Sequence, residues 1–569
     1  MSNTVTSAKR NMRFRRFLSH QQLISGLKNF FLLLAALILP LKNSFSQTSN
    51  TQPENFSKPK LIVGIVVDQM RYDLLWRFWD QYSNGGFRRL VKEGFLCRDA
   101  RFNYFLTVTA AGHSTIYSGT TPSIHGVIDN FYFDRQSNKS VYVMTDTSVR
   151  TVGNTQEVVG ASPFRLMSTT VTDELKLVSR NSKVIGIAEK DRSAMMPAGH
   201  FADGAFYFDP KTGNWISSTW YMKKLPDWLD QFNSSRKVND YVSTDWKLLL
   251  PRSAYTMCTN DTNAYEHPLT GETLPVFPHK LVSNDYTNLP FTPFGNTMTK
   301  DVAIAAINNE KLGKRNTTDF LCISFSSTDL VAHWFGPNSL ELADCYLRLD
   351  KDLEAFLKFL DDYIGKENVL VFLTADHGGA IVPGFGKDHH IDGGVIGDSL
   401  AEKGSRYISS FFGEGKWISS ISEQQVYLNK PFIASTKVSE EEVAKKIADF
   451  LMQQPGILCV TSPAYNMNTC SPDVQKTIMN GYYPERSGDL FFSVKPGWIE
   501  WIFKEGTSHG TVFDYDQHVP LLWYGWHIQH GESAEKVEMT DIAPTISNWL
   551  NISYPSGCTG NPITFIPLK

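Results

Sequence analysis

The sequence predicts an α/β protein, a three-layer α/β/α sandwich around a mostly parallel central sheet. Two observations carry that expectation. Four short apolar runs, Leu61–Val67, Val184–Ile187, Phe320–Phe325 and Val369–Leu373, are rich in β-branched or aromatic residues, as strands buried on both faces are. Between them the pattern changes to helical spacing. The chain from Arg71 to Glu93 holds two such stretches broken at Asn84-Gly85-Gly86, and Ser339 to Ile364 repeats leucines and aromatics. Near the end, Thr540 to Asn551 reads as a helix opened by Thr540 and Asp541. In sheets of this kind, ligands bind beyond the carboxyl ends of the strands.

Two long regions interrupt the alternation. Residues 201–300 are rich in Trp, Tyr, Asn, Thr and Pro. Residues 381–482 hold a histidine-containing loop and an exposed amphipathic helix, Ser439 to Met452. Both read as insertions over the sheet that cover the active site.

The first segment is expected to lie outside the fold. Lys9, Arg10, Arg13, Arg15, Arg16 and Lys28 precede an apolar run from Phe30 to Leu41, followed by Ser44-Phe45-Ser46. That is the pattern of a signal peptide over residues 1–46, with residues 47–569 as one catalytic domain. Met1 and Met12 are both candidate starts. An N-terminal anchor is the alternative, but the apolar run is short for a bilayer span. Export to the periplasm or the medium is expected, with no membrane attachment after cleavage. Of the 569 residues, 42% are hydrophobic and 20% charged, so the chain can bury a large core. Without residues 1–46 it keeps 48 basic and 58 acidic residues, a net charge of −10. That balance excludes nucleic acid as a specific partner. Seven cysteines do not make a dense disulfide framework, and the odd number leaves at least one unpaired within the chain. Cys459 and Cys470 are expected to form one bridge.

The chemistry gathers at the strand ends. Asp68 follows the first strand directly. Asp329 and His333 follow the third, and Asp376 and His377 follow the fourth, before Gly378-Gly379. His509 lies in the small-residue loop Gly506-Thr-Ser-His-Gly510. These six residues offer oxygen and imidazole donors without thiolate, a set that suits zinc. Six ligands exceed one catalytic zinc, whereas two metals about 3.5–4 Å apart would use them all. Taken singly, each has a plainer explanation: Asp68 as a helix N-cap, His333 as a hydrogen-bonded core histidine.

Thr109 falls where an extended aromatic run turns into a small-residue helix. It is a candidate nucleophile, activated by the helix N-terminus and by a metal on its oxygen. A simple N-cap fits the same local sequence. Lys190 and Arg192, just beyond the second strand, can hold non-bridging phosphate oxygens, and Asn130 can donate to another. His113, His125 and His518 are expected to support the site or the fold rather than bind metal. His389-His390, with Asp388 and Asp392, reads as a polar lid loop or a further metal site.

Together these segments resemble the alkaline phosphatase superfamily, specifically its periplasmic phosphate-irrepressible alkaline phosphatases. The resemblance rests on Val67-Asp-Gln-Met-Arg71, Thr109-Ala-Ala-Gly-His113, Gly126-Val-Ile-Asp-Asn130, Lys190-Asp-Arg192, Asp329 with His333, Asp376-His377 and His509. It implies two Zn²⁺ per chain. Asp329, His333 and His509 would hold one, and Asp68, Asp376 and His377 the other, with Thr109 as nucleophile on the second. Asn130, Lys190 and Arg192 would bind the phosphoryl group. The implied activity is hydrolysis of small-molecule phosphate monoesters through a phosphothreonine, by a monomer. The alternative is a nucleotide pyrophosphatase/phosphodiesterase, whose relatives share the metal ligands, the Thr and the Asn but place no such cations. Arylsulfatase relatives need a proline that Cys97-Arg-Asp-Ala-Arg101 lacks.

Overall fold

A computed structural model describes residues 57–154, 158–397 and 399–569; the expected signal peptide lies outside them. The centre of the fold is five parallel strands: β1 (Leu61–Val67), β2 (Val184–Ala188), β3 (Gly204–Asp209), β4 (Asp319–Phe325) and β5 (Val369–Thr374). They lie in the order β5-β1-β4-β2-β3. Every residue in them is buried, which is why β1, β2, β4 and β5 read as apolar runs; β3 fell inside a stretch read as an insertion.

Register decides where the strands end. Leu61 pairs with Asp319 on one side and Val369 on the other, and Val66 with Ser324 and Thr374. Three neighbouring strands therefore release their chains at one level, so Asp68, Asp329 and Asp376 emerge side by side.

Further strands complete an eleven-stranded mixed sheet. His518–Gly525 runs antiparallel to β5, and Asn214–Ser218 antiparallel to β3. Only residues 210–213 separate β3 from that partner, too few for the crossover a parallel pair requires. Helices α1 (Thr109–Ser118) and α2 (Asp191–Ala198) pack together on one face of the sheet. On the other, Pro293–Glu310, α3 (Ser327–Phe335) and α4 (Leu340–Tyr363) form a second layer. The α/β/α sandwich is thus present, its parallel strands at the centre and antiparallel strands beside them.

Some segments differ from the sequence expectation. The first helical stretch after Arg71 is a single turn, Leu74–Arg77. Beyond it, Asp350 accepts the Ser83 and Phe87 N–H groups at 2.6 and 2.8 Å and fixes the Asn84-Gly85-Gly86 turn. Within 201–300, β3 and Asn214–Ser218 belong to the main sheet, so only the stretch after Ser218 leaves it.

Within 381–482 lies a second antiparallel sheet of five strands, completed by Leu490–Val494. The helix Glu440–Met452, opened by a Ser439/Glu442 capping box, is amphipathic as expected. Its apolar face is not exposed: Val443, Ile447 and Leu451 join Val426, Val460 and Phe492 in a separate core. Cys459 and Cys470 are disulfide-bonded beneath it, and the other five cysteines are free. Among the described residues, no helix is long and apolar enough to cross a membrane.

Candidate active site

Beyond β1, Asp68 is fully buried, and Gln69 takes a left-handed backbone, φ 60°. Asp329 and His333 lie on α3 one turn apart, so both side chains leave the same face. Their closest ligand atoms are 3.3 Å apart. Beyond β5 come Asp376 and His377, both fully buried, with His377 Nε2 3.3 Å from Asp376 Oδ2. His509 arrives from a distant loop and stacks on His377, ring centres 3.6 Å apart. All six expected ligands therefore meet beyond the carboxyl ends of β5, β1 and β4.

Thr109 is the first residue of α1, and Val108 holds the cap position, so the plain N-cap reading of Thr109 does not apply. Its Oγ1 lies 3.5 Å from His377 Nε2. A side chain at Gly112, one turn on, would place a Cβ 2.1 Å from the Asp376 carbonyl oxygen. Glycine there lets α1 press against the end of β5 and carry Thr109 to the ligands. Asn130 Oδ1 accepts the Ala110 N–H at 3.0 Å, which leaves its amide NH₂ free to donate elsewhere.

Lys190 and Arg192 open α2. Lys190 Nζ sits between two carboxylates, 2.6 Å from Asp329 Oδ2 and 3.0 Å from Asp68 Oδ2. Arg192 reaches Tyr142 Oη at 3.3 Å, while its buried Nε has no hydrogen-bond partner.

The three histidines share one orientation. His333 Nδ1–H donates to the Thr507 carbonyl, His377 Nδ1–H to that of Gly378 and His509 Nδ1–H to that of Thr107, each at 2.8 Å. A carbonyl only accepts, so each imidazole keeps its Nδ1 proton and turns Nε2, the nitrogen left to coordinate, towards the site, as metal-binding histidines do.

The electrostatics divide the three histidines: burial would lower His333, but the Asp329 charge more than offsets it and raises the group. Burial holds His377 down to about 4 and, with His377 and His333 as neighbours, lowers His509 well below the usual range. Burial alone would raise Asp329, but Lys190 and then His333 more than offset it and hold the carboxyl well below its ordinary value. Asp376 is pushed up by burial and by the Asp68 charge. Its buried Oδ2 has no hydrogen-bond partner.

Crowded buried carboxylates, imidazoles with Nε2 turned inward and an orphaned buried oxygen are what a divalent cation would satisfy. Donor atoms within 4.8 Å of one another fall into two groups, Asp329-His333-His509 and Asp68-His113-Asp376. The second includes His113 rather than His377. Yet His113 Nδ1 is 2.9 Å from the Thr109 carbonyl and Nε2 3.0 Å from Ser324 Oγ, so both its nitrogens are already engaged.

Several contributors escaped the sequence reading. Gln69 spans both groups: its N–H donates to Asp376 Oδ1 at 3.0 Å and its Nε2 to Asp329 Oδ1 at 3.1 Å. Ser324 Oγ–H donates to Asp68 Oδ1. Trp501 lies parallel to the His333 ring at 5.3 Å. Only Gln69 stood inside a quoted motif, and nothing in its residue type signals that role. His125 and His518 are structural: His125 Nδ1 accepts the Val127 N–H, and His518 is hydrogen-bonded to the Arg98 carbonyl. His389 caps a short helix, stacked on Phe385 with ring centres 3.9 Å apart.

Residues 62–510 match the model of the type I phosphodiesterase / nucleotide pyrophosphatase family, and the chain belongs to that family, within the alkaline phosphatase superfamily. Among its relatives is the alkaline phosphatase PafA of Elizabethkingia meningoseptica, 41% identical over 91% of this chain and 96% of that protein. The alkaline phosphatase PhoV of Synechococcus elongatus is also 41% identical, over 93% of this chain and 98% of its own length. The crystal structure of PafA superposes with a TM-score of 0.87, covering 90% of this chain and all of that one at 40% identity.

Proposed function

We propose that this chain is an exported alkaline phosphatase that hydrolyses small phosphate monoesters, with Thr109 as nucleophile and two zinc ions as cofactors. Asp329, His333 and His509 would hold one ion, and Asp68, Asp376 and His377 the other. Bound there, the metals neutralise the carboxylates and stabilise negative charge on the entering and leaving oxygens.

The protein's own groups do the rest. Thr109, at the N-terminus of α1, attacks phosphorus and forms a P–O bond as the ester bond to the alcohol breaks. Water then cleaves the phosphothreonine, releasing inorganic phosphate and restoring the hydroxyl. The Asn130 amide donates to one non-bridging oxygen. Arg192 and Lys190 would meet the others, Lys190 turning from Asp68 and Asp329 if those carboxylates served as metal ligands.

The observation that carries this reading is Lys190, buried against the Asp68 and Asp329 carboxylates, with Arg192 two residues on in α2, the helix that packs against α1 and its Thr109. A monoester dianion has two charged non-bridging oxygens to satisfy, whereas a diester has one and needs space for a second ester group. Relatives named as alkaline phosphatases, at 41% identity over nearly the full chain, support the same choice over the phosphodiesterase alternative. Export is supported by the basic-then-apolar start of the sequence and by the Cys459–Cys470 disulfide.

The test is kcat/KM on p-nitrophenyl phosphate and bis-p-nitrophenyl phosphate with zinc-loaded protein. The monoester should be preferred by several orders of magnitude, and Arg192→Ala should lower monoester turnover far more than diester turnover. Preference for the diester would overturn the proposal.

A further inference from the structure

Arg192 is held by a hairpin that also carries Asn130. Asn130 stands at the foot of the strand Phe131–Asp134, which pairs antiparallel with Lys139–Tyr142. The register sets Phe131 opposite Tyr142, and the Val143 N–H donates to the Asn130 carbonyl at 2.9 Å. Tyr142 is thus one residue from a backbone bond to Asn130. Its ring packs on Phe131, centres 4.9 Å apart. Further along the hairpin, Arg135 pairs with Asp489 at 2.9 Å and Phe133 meets the Tyr427 ring at 5.4 Å. These contacts seat the hairpin on the inserted sheet.

The Tyr142 hydroxyl reaches the start of α2. It donates to Asp191 Oδ1 and accepts from Arg192 Nη1 at 3.3 Å. Asp191 Oδ1 also accepts the Arg192 N–H at 2.7 Å. A carboxylate only accepts, so the hydroxyl proton goes to Asp191 and a lone pair is left for the guanidinium. Nη1 is therefore held. Nε, on the other edge of the guanidinium, is buried and has no hydrogen-bond partner. A buried cationic N–H without an acceptor is matched by the oxygen of an anion.

We propose that Tyr142 is a positioning residue for the reaction: it fixes the guanidinium of Arg192 so that its free edge and the Asn130 amide meet the same phosphoryl group. This rests on the monoesterase reading above. The Val143–Asn130 backbone bond and the Tyr142–Arg192 side-chain bond form one span between the two donors. Without the hydroxyl, Nη1 loses its acceptor and the long Arg192 side chain gains rotamers. Fewer molecules then present the free edge where the phosphoryl group arrives.

The experiment is a double-mutant cycle on kcat/KM for p-nitrophenyl phosphate, using zinc-loaded wild type, Tyr142→Phe, Arg192→Ala and the double variant. Phenylalanine keeps the ring against Phe131, so the hairpin stays packed. In the wild-type background Tyr142→Phe should lower monoester kcat/KM about tenfold, the order for one hydrogen bond to a charged group. In the Arg192→Ala background the same change should cost less than about twofold, because the group it positions is gone. Turnover of bis-p-nitrophenyl phosphate by Tyr142→Phe should stay within about twofold of wild type, since a role confined to the fold would lower both substrates alike. An equal loss in both backgrounds, an equal loss on both substrates, or no loss in the wild-type background would overturn the inference and leave the monoesterase reading standing. An Arg192→Ala variant with undiminished monoester turnover would overturn the phosphoryl role of Arg192, and the inference with it.

Discussion

Lys190 offers the most informative perturbation. Its ammonium is buried and lies 2.6 and 3.0 Å from the carboxylates of Asp329 and Asp68. Burial alone would lower its pKa, but the charges of Asp329 and Asp68 more than offset this and raise it. Without metal, Lys190 is the cation that compensates them. Lys190→Met keeps the length of the side chain and leaves two buried carboxylates facing each other. Removing one partner of a buried pair costs about 3–5 kcal/mol. With metal bound, the carboxylates have another cation and most of that cost disappears. Without residues 1–46 the chain has an unfolding entropy of about 1 kcal/mol per degree, so the metal-free variant should melt about 3–5 °C below wild type. Zinc-saturated, the difference should shrink to about 1 °C. Thermal unfolding with chelator and with saturating zinc measures both. Equal losses in the two states would refute the argument that Lys190 and the metals compensate the same carboxylates.

Three further outcomes are expected. Gln69→Ala removes the amide that touches Asp329 and should weaken zinc binding about tenfold or more, read by competition with a chromogenic chelator; unchanged affinity would deny Gln69 a role. His279 lies between Glu272 and Glu341 at 3.0 and 3.1 Å, and although burial pulls it down, the two acids push it up to about 9. Because the folded value is raised, its contribution of up to about 3 kcal/mol is complete below pH ~6.5 and is lost as pH rises through about 9. Urea unfolding should therefore show Glu272-Glu341 pairing lost in His279→Gln as a larger deficit at pH 6 than at pH 10; equal deficits would contradict it. Cys459→Ser with Cys470→Ser should cost about 2–3 kcal/mol for a short loop, measured by urea unfolding of the oxidised wild type against the variant, and no change would place the bridge outside the stability of the fold.

How much was legible in the sequence follows from what each residue interrupts. Asp68 and Asp376 stand out because a charge ends an apolar strand, and parallel register then brings strand ends together without further information. Asp329 and His333 carry helical spacing on one short segment. His509 has no such frame; its small-residue loop, Gly506-Thr-Ser-His-Gly510, was its one local signal, and the resemblance supplied its role. Gln69 is uncharged, and its left-handed backbone is invisible in its identity. A second sheet of five strands arises within and just beyond the region read as an insertion, 381–482. That sheet was missed because strands such as Ile418-Ser-Ser-Ile-Ser422 are short and weakly alternating. The helix Glu440–Met452 was recognised from its own periodicity, but the surface it covers is formed by strands distant in sequence. Within 201–300 the two strands joined to the main sheet were overlooked because polar residues and turns surround them.

The account turns on Thr109 as the nucleophile. The direct measurement is acid quenching of zinc-loaded protein during turnover of p-nitrophenyl phosphate, followed by mass-spectrometric mapping of any covalent phosphate. One phosphate on Thr109, absent in Thr109→Ala, is the predicted result. A phosphate trapped on another residue, or full turnover by Thr109→Ala, would contradict it.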